Sequence, residues 1–128
     1  MFRQGMQATG VLEIHVVREG RSTGKLKSPD FRVDAPGVEG YVFGRSDSTS
    51  SYEPDIDLFE HGAQDMGVSR RHAVLLRHRG IIHIMDLDSV NGTFVNGKRL
   101  SPNVPYVFNI GDKVSLANLE VTISQTNE

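Results

Sequence analysis

Thr93–Leu100 reads TFVNGKRL. Asn96-Gly97 stands between two short runs, TFV and KRL. Both central residues of a type I′ turn need positive φ, which Asn tolerates and Gly adopts freely. The stretch therefore predicts a two-residue hairpin joining two antiparallel strands. The same pattern extends in both directions. LEIHVV (Leu12–Val17) alternates apolar and polar side chains. FRVD, YVFG, IIHIMDL, YVFNI, KVSLANL and LEVTIS are short and rich in β-branched or aromatic residues. Turn-forming residues fill the gaps: REGRSTGK, DAPGVEG, RSDSTSSYEPD, HRG, SVNGT, LSPNVP and NIGD. Apolar residues nowhere recur at helical spacing over a helix-length window, and Gln64–Met66 supports one helical turn at most. Many closely spaced short strands predict an all-β chain, an antiparallel sandwich or barrel.

The 128 residues suit one domain with a single core. We expect a flexible lead-in over residues 1–10, a domain over 11–124 and a flexible tail over 125–128. The formal net charge of −2 argues against general affinity for nucleic acid or anionic lipid. Cysteine is absent, which excludes disulfides and thiolate chemistry and suits a reducing compartment. No apolar run approaches the roughly 20 residues that span a bilayer, and no signal-peptide core is visible. A cytoplasmic setting is expected, for the domain alone or within a larger protein.

Function in a sandwich concentrates on the loops at its ends. Three loops here hold more than turn residues: Gly44-Arg45, Gly67–His72 and Asp86–Gly97. Each has a plain reading as a solvated strand end, a capped turn or a buried histidine. Together they suit a phosphorylated side chain, which carries about −1.5 to −2 charge and three strong acceptor oxygens. Arg45 and Arg70 offer planar two-pronged cations and Ser69 a hydroxyl. Asn91 can both donate to and accept from a peptide backbone.

The ordered set G-R, S-R-x-H, S-x-N-G-T, N-G and G-D, spread over Leu12–Ser124, strongly resembles the forkhead-associated (FHA) domain. The resemblance implies an eleven-stranded β-sandwich that binds phosphothreonine peptides with the loops at one end. It assigns phosphate contacts to Arg45, Ser69 and Arg70, and main-chain recognition to Asn91. It makes His72 a structural brace and gives Gly44, Ser89, Gly92, Thr93, Asn96 and Gly97 supporting roles. One departure matters: Val90 stands where many members carry Thr or Ser, so one donor is missing, and Ser89 or a loop N–H would have to compensate. Asp47, Glu53 and Asp55 are expected near the site, working against a dianion. The implied partner is a phosphothreonine protein, in the same chain or another. No cofactor, metal, nucleic acid or membrane insertion is expected, and the domain is expected to be a monomer or weak dimer.

Other classes are weaker. Ser69, His72 and Asp86 could be imagined as a hydrolytic triad, but GVSRR lacks the second Gly of a nucleophile elbow and precedes a strand. No Walker loop is present, and the histidines form no H-x-x-x-H pair. Arg77 and Arg79 would share one face of a strand and, with Arg70, Arg71 and His78, could form a basic stripe for nucleic acid. Asn91-Gly92-Thr93 matches a glycosylation sequon, relevant only to a secreted chain. A nearer alternative is a scaffold or oligomerisation domain of the same fold with weak or lost phosphate recognition, to which Val90 gives weight.

Overall fold

A computed structural model describes residues 5–18 and 28–126. Most of the REGRSTGK turn and the ends of the expected lead-in and tail lie outside them. Eleven strands occur among the described residues. They are β1 (Val11–Val16), β2 (Phe31–Asp34), β3 (Tyr41–Gly44), β4 (Ile56–Asp57), β5 (Arg71–His78), β6 (Ile81–Asp86), β7 (Thr93–Val95), β8 (Lys98–Arg99), β9 (Tyr106–Val107), β10 (Val114–Leu116) and β11 (Leu119–Thr126). One sheet runs β2-β1-β11-β10-β7-β8 and the other β4-β3-β5-β6-β9.

The alternation read from the sequence sets the register. Leu12, Ile14 and Val16 of β1 are buried at every second position, as are Leu119, Val121 and Ile123 of β11. They pack in one core with Phe43, Ala73, Leu75, Ile82, Ile84 and Phe108. Each of the larger of these side chains stabilises the fold by about 1.5–3 kcal/mol through burial alone. The hairpin at Asn96-Gly97 forms as expected, with Val95 opposite Lys98 and φ of 53° and 83° at the two turn residues. A second Xaa-Gly hairpin, Arg79-Gly80, has φ of 54° and 78° between the paired residues His78 and Ile81.

Several expectations change. The strand pairings are antiparallel except β3 with β4, which run parallel through Phe43–Ile56 and Gly44–Asp57. The long loop 45–55 carries the chain back, so β4 enters the sheet edge in β3's direction, as a parallel pair requires. Arg79 belongs to a turn, so it does not continue an alternating strand face with Arg77. Met6, within the expected flexible lead-in, is 2% exposed and packs into the core. Its N–H donates to Phe108 O (2.8 Å) and its carbonyl accepts from Ile82 N (2.8 Å). At the other end β11 continues to Thr126, and Gln125 Nε2 donates to Gln7 O and Thr9 O, each at 2.7 Å.

Met6→Ala should cost about 2–5 kcal/mol, the usual range for emptying a buried methionine site. Urea unfolding followed by circular dichroism checks this; a change within error would mean that the Met6 side chain contributes nothing to the core.

Candidate functional site

Three chain segments meet at one end of the sandwich. Gly44 makes the closest approach. A Cβ there would lie 1.8 Å from Arg70 O, so only glycine lets the end of β3 pass the loop before β5. The β3–β5 register shifts at this point, between Phe43 and Gly44, and Arg45 N donates to Arg70 O at 3.2 Å. Arg45 and Arg70 are thereby delivered to the same rim.

Backbone carbonyls fix the long side chains. Arg45 Nε donates to Val68 O at 2.7 Å, which leaves its terminal nitrogens for other partners. Asn91 Nδ2 donates to Gly67 O at 3.0 Å, which leaves its carboxamide oxygen available. Ser69 Oγ accepts from Val90 N at 3.1 Å and keeps its own hydrogen to donate. The Val90 side chain is 80% exposed at this rim. Arg45 Nη1 and Arg70 Nε lie 3.7 Å and 3.8 Å from one oxygen of Asp47. Arg45, Ser69, Arg70 and Asn91, predicted from separate loops, are therefore neighbours.

Beneath them His72 is fully buried. Its Nδ1 accepts from Ser69 N at 3.0 Å, so the proton sits on Nε2, which donates to Gly92 O at 2.8 Å. One imidazole thus ties the Ser69 loop to the Gly92 turn. Burial lowers its pKa, against the opposing pull of the Gly92 carbonyl and Asp86. The Gly92 turn is fastened a second time. Asp86 Oδ1 accepts from Ser89 Oγ (2.6 Å) and Thr93 Oγ1 (2.7 Å), and Ser89 Oγ accepts from Gly92 N (3.0 Å). Gly92 has φ of 90°, a conformation that favours glycine.

Other expected residues lie elsewhere. Asn96 and Gly97 stand at the far end of β7 from the Gly92 turn. Asn96 Nδ2 donates to Asp112 Oδ1 (2.9 Å) and Asn96 Oδ1 accepts from Lys113 N (2.9 Å), so the hairpin braces β10 and only indirectly the rim. Asp55 caps the sheet edge by accepting from Val42 N at 2.8 Å. The imagined triad does not form, because both His72 nitrogens are engaged with backbone groups and Asp86 is held by Ser89 and Thr93. Sequence reasoning missed the three carbonyls, Gly67, Val68 and Gly92, that orient the site; backbone acceptors leave no compositional trace. It also missed Asp86 as the anchor of the third loop, although Asp followed by Ser and Thr in one turn is a readable signal. Among the described residues no group of three His, Asp or Glu could hold a metal, and no helix is long and apolar enough to cross a membrane.

A family model described as the FHA domain matches residues 41–117. The chain is 32% identical over 81 residues to an oxoglutarate dehydrogenase inhibitor of Corynebacterium diphtheriae, covering 63% of this chain and 52% of that protein. It is 28% identical over 109 residues to a protein phosphatase 1 regulatory inhibitor subunit PPP1R8 homolog of Arabidopsis thaliana, covering 84% of this chain and 25% of that protein. The chain thus spans about half the length of the first relative and a quarter of the second. Full-length yeast Pml1p superposes with a TM-score of 0.66 at 25% identity, over 91% of this chain and 82% of that one.

His72 makes fold stability depend on pH. Its folded pKa lies below the ordinary 6.5, so the unfolded chain takes up the proton first. The stabilisation is complete above about pH 6.5 and is lost as pH falls through the folded value. Thermal unfolding should show midpoints dropping over that window, with a shallower slope in His72→Gln. Parallel profiles would remove His72 as the cause.

Proposed function

This chain belongs to the FHA domain family, and from that premise we propose that it is a phosphothreonine-peptide-binding module mediating a phosphorylation-dependent protein–protein interaction. Domains of this family generally act through such interactions. The observation that carries the reading is convergence: two guanidiniums, a serine hydroxyl and a carboxamide from three loops come together at one rim of the sandwich. Arg45, Ser69 and Arg70 hold the phosphate. Asn91, secured on one side by Gly67 O, bonds the main chain of an extended peptide beside the phosphorylated residue. Gly44, His72, Ser89, Gly92 and Thr93 keep the loops in place.

The proposed event is equilibrium binding, without a chemical step. A threonine methyl seated in an apolar niche is worth about 0.8 kcal/mol, a few-fold preference over phosphoserine before further packing. Several charge-assisted bonds at about 1.5–3 kcal/mol each, less the ordering cost of the peptide, lead to roughly micromolar affinity, about −8 kcal/mol. The partner is a phosphothreonine-bearing segment in the same polypeptide or another. Arg79's position in a hairpin turn disfavours the basic stripe that nucleic-acid binding would use. The second reading, a scaffold without phosphate recognition, rests on Val90, whose side chain offers no donor at the exposed rim.

Calorimetry with matched phosphothreonine, phosphoserine and unmodified peptides separates the two readings. The phosphothreonine peptide should bind best, more weakly at high salt and below about pH 6, where the phosphate loses its second charge. Arg45→Ala should weaken it at least about tenfold. Val90→Thr should strengthen it several-fold if the missing donor matters. Equal binding of modified and unmodified peptides leaves only the scaffold.

A further inference from the structure

The loop after Arg45 brings an anion of its own into the cradle. Asp47 Oδ2 lies between the two guanidiniums, 3.7 Å from Arg45 Nη1 and 3.8 Å from Arg70 Nε. Its other oxygen is held from behind, where Oδ1 accepts from Thr49 N at 2.8 Å and from Thr49 Oγ1 at 2.7 Å. The carboxylate is therefore placed by its own loop, with one oxygen spent on Thr49 and one presented to the cations. The side chain of Asp47 is 19% exposed, while that of Arg70 is 55% exposed, so the acid is tucked beneath a cation that solvent still reaches.

The spacing identifies the kind of contact. Charge-assisted bonds from guanidinium to carboxylate close to about 2.7–2.9 Å and are often bidentate. Neither arginine closes to that range on Asp47, so the acid neutralises part of their charge without saturating their donors. The Thr49 hydrogen bonds, with Arg70 and Arg45 behind them, hold the Asp47 carboxyl below its usual range against the opposing effect of burial. The acid thus stays charged wherever a phosphate ester is a dianion, and the two anions contend for the same cations.

Resting on the phosphopeptide reading above, we propose that Asp47 is a resident counter-anion that sets the affinity of the site: it occupies the arginine pair in the free domain and must yield to the incoming phosphate. Binding is then an exchange of one anion for another. Two consequences distinguish this from a role in which Asp47 merely positions the arginines. Removing its charge strengthens phosphopeptide binding, where loss of a positioning residue would weaken it. Removal also steepens the salt dependence, because the freed arginines attract ions from solution that the ligand then displaces.

The experiment titrates one phosphothreonine peptide into wild type, Asp47→Asn, Thr49→Val and Arg45→Ala, each at two salt concentrations, after circular dichroism confirms folding. Asp47→Asn should bind at least about threefold more tightly at low salt, in line with the modest worth of exposed ion pairs, and lose more affinity on salt addition. Thr49→Val keeps the charge but loosens its anchor, and should shift in the same direction by less. Unchanged or weaker binding by Asp47→Asn, while Arg45→Ala still weakens binding at least about tenfold, overturns the counter-anion role and leaves the phosphopeptide reading standing. Failure of both wild type and Asp47→Asn to bind overturns the two together.

Discussion

The rim depends on one buried imidazole. His72 spans the gap between Ser69 N–H and Gly92 C=O, which belong to loops far apart in sequence. Only the neutral ring with its proton on Nε2 meets both demands, and the surrounding core disfavours the charged form. Gly92 O also accepts from Ala117 N at 2.9 Å, so the imidazole adds the link to the Ser69 loop to a carbonyl already anchored on the β10–β11 turn. Asp86 performs a related task one layer away, gathering the Ser89 and Thr93 hydroxyls. Ser89 Oγ passes the constraint on by accepting from Gly92 N. Among the described residues no buried side-chain polar atom lacks a partner, so this polar wedge disturbs the sandwich little.

The strands and the rim divide the work. Alternating aliphatic residues supply cohesion and leave the loop ends free to be polar. The rim then spends one donor of Arg45 and one of Asn91 on the protein itself: Arg45 Nε on Val68 O and Asn91 Nδ2 on Gly67 O. The rotamers are chosen before anything binds, which lowers the ordering cost of an encounter.

The local features were legible because their causes are local. Asn96-Gly97 announces its turn through the φ values those residues tolerate, and period-two burial in β1 and β11 follows directly from LEIHVV and LEVTIS. Long-range features were not. Nothing in Ile56-Asp57 indicates a parallel edge strand, and Met6 is buried because Phe108 and Ile82, distant in sequence, receive it. Arg79 sits in the HRG turn that its glycine announces, and only the basic-stripe alternative, which needed it on a strand face beside Arg77, fails. For the site, the resemblance named Arg45, Ser69, Arg70 and Asn91, while composition alone could not bring their loops together. Of the nearby acids, Asp47 does reach the arginines, whereas Asp55 is drawn off to Val42 N.

The tie between Gln125 and the Gln7–Thr9 segment bears on reach. Asn118, whose N–H donates to Met66 O beside the rim, begins the run of chain that ends at this tie. Gln125 lies seven positions further along, roughly 24 Å at about 3.4 Å per strand residue. A tether leaving from Thr9 or Gln125 that folds back to the rim must therefore cross the length of the sandwich, which takes at least about seven fully extended residues. Shorter connections would keep their cargo beyond the domain's own grasp and leave the rim open to other molecules.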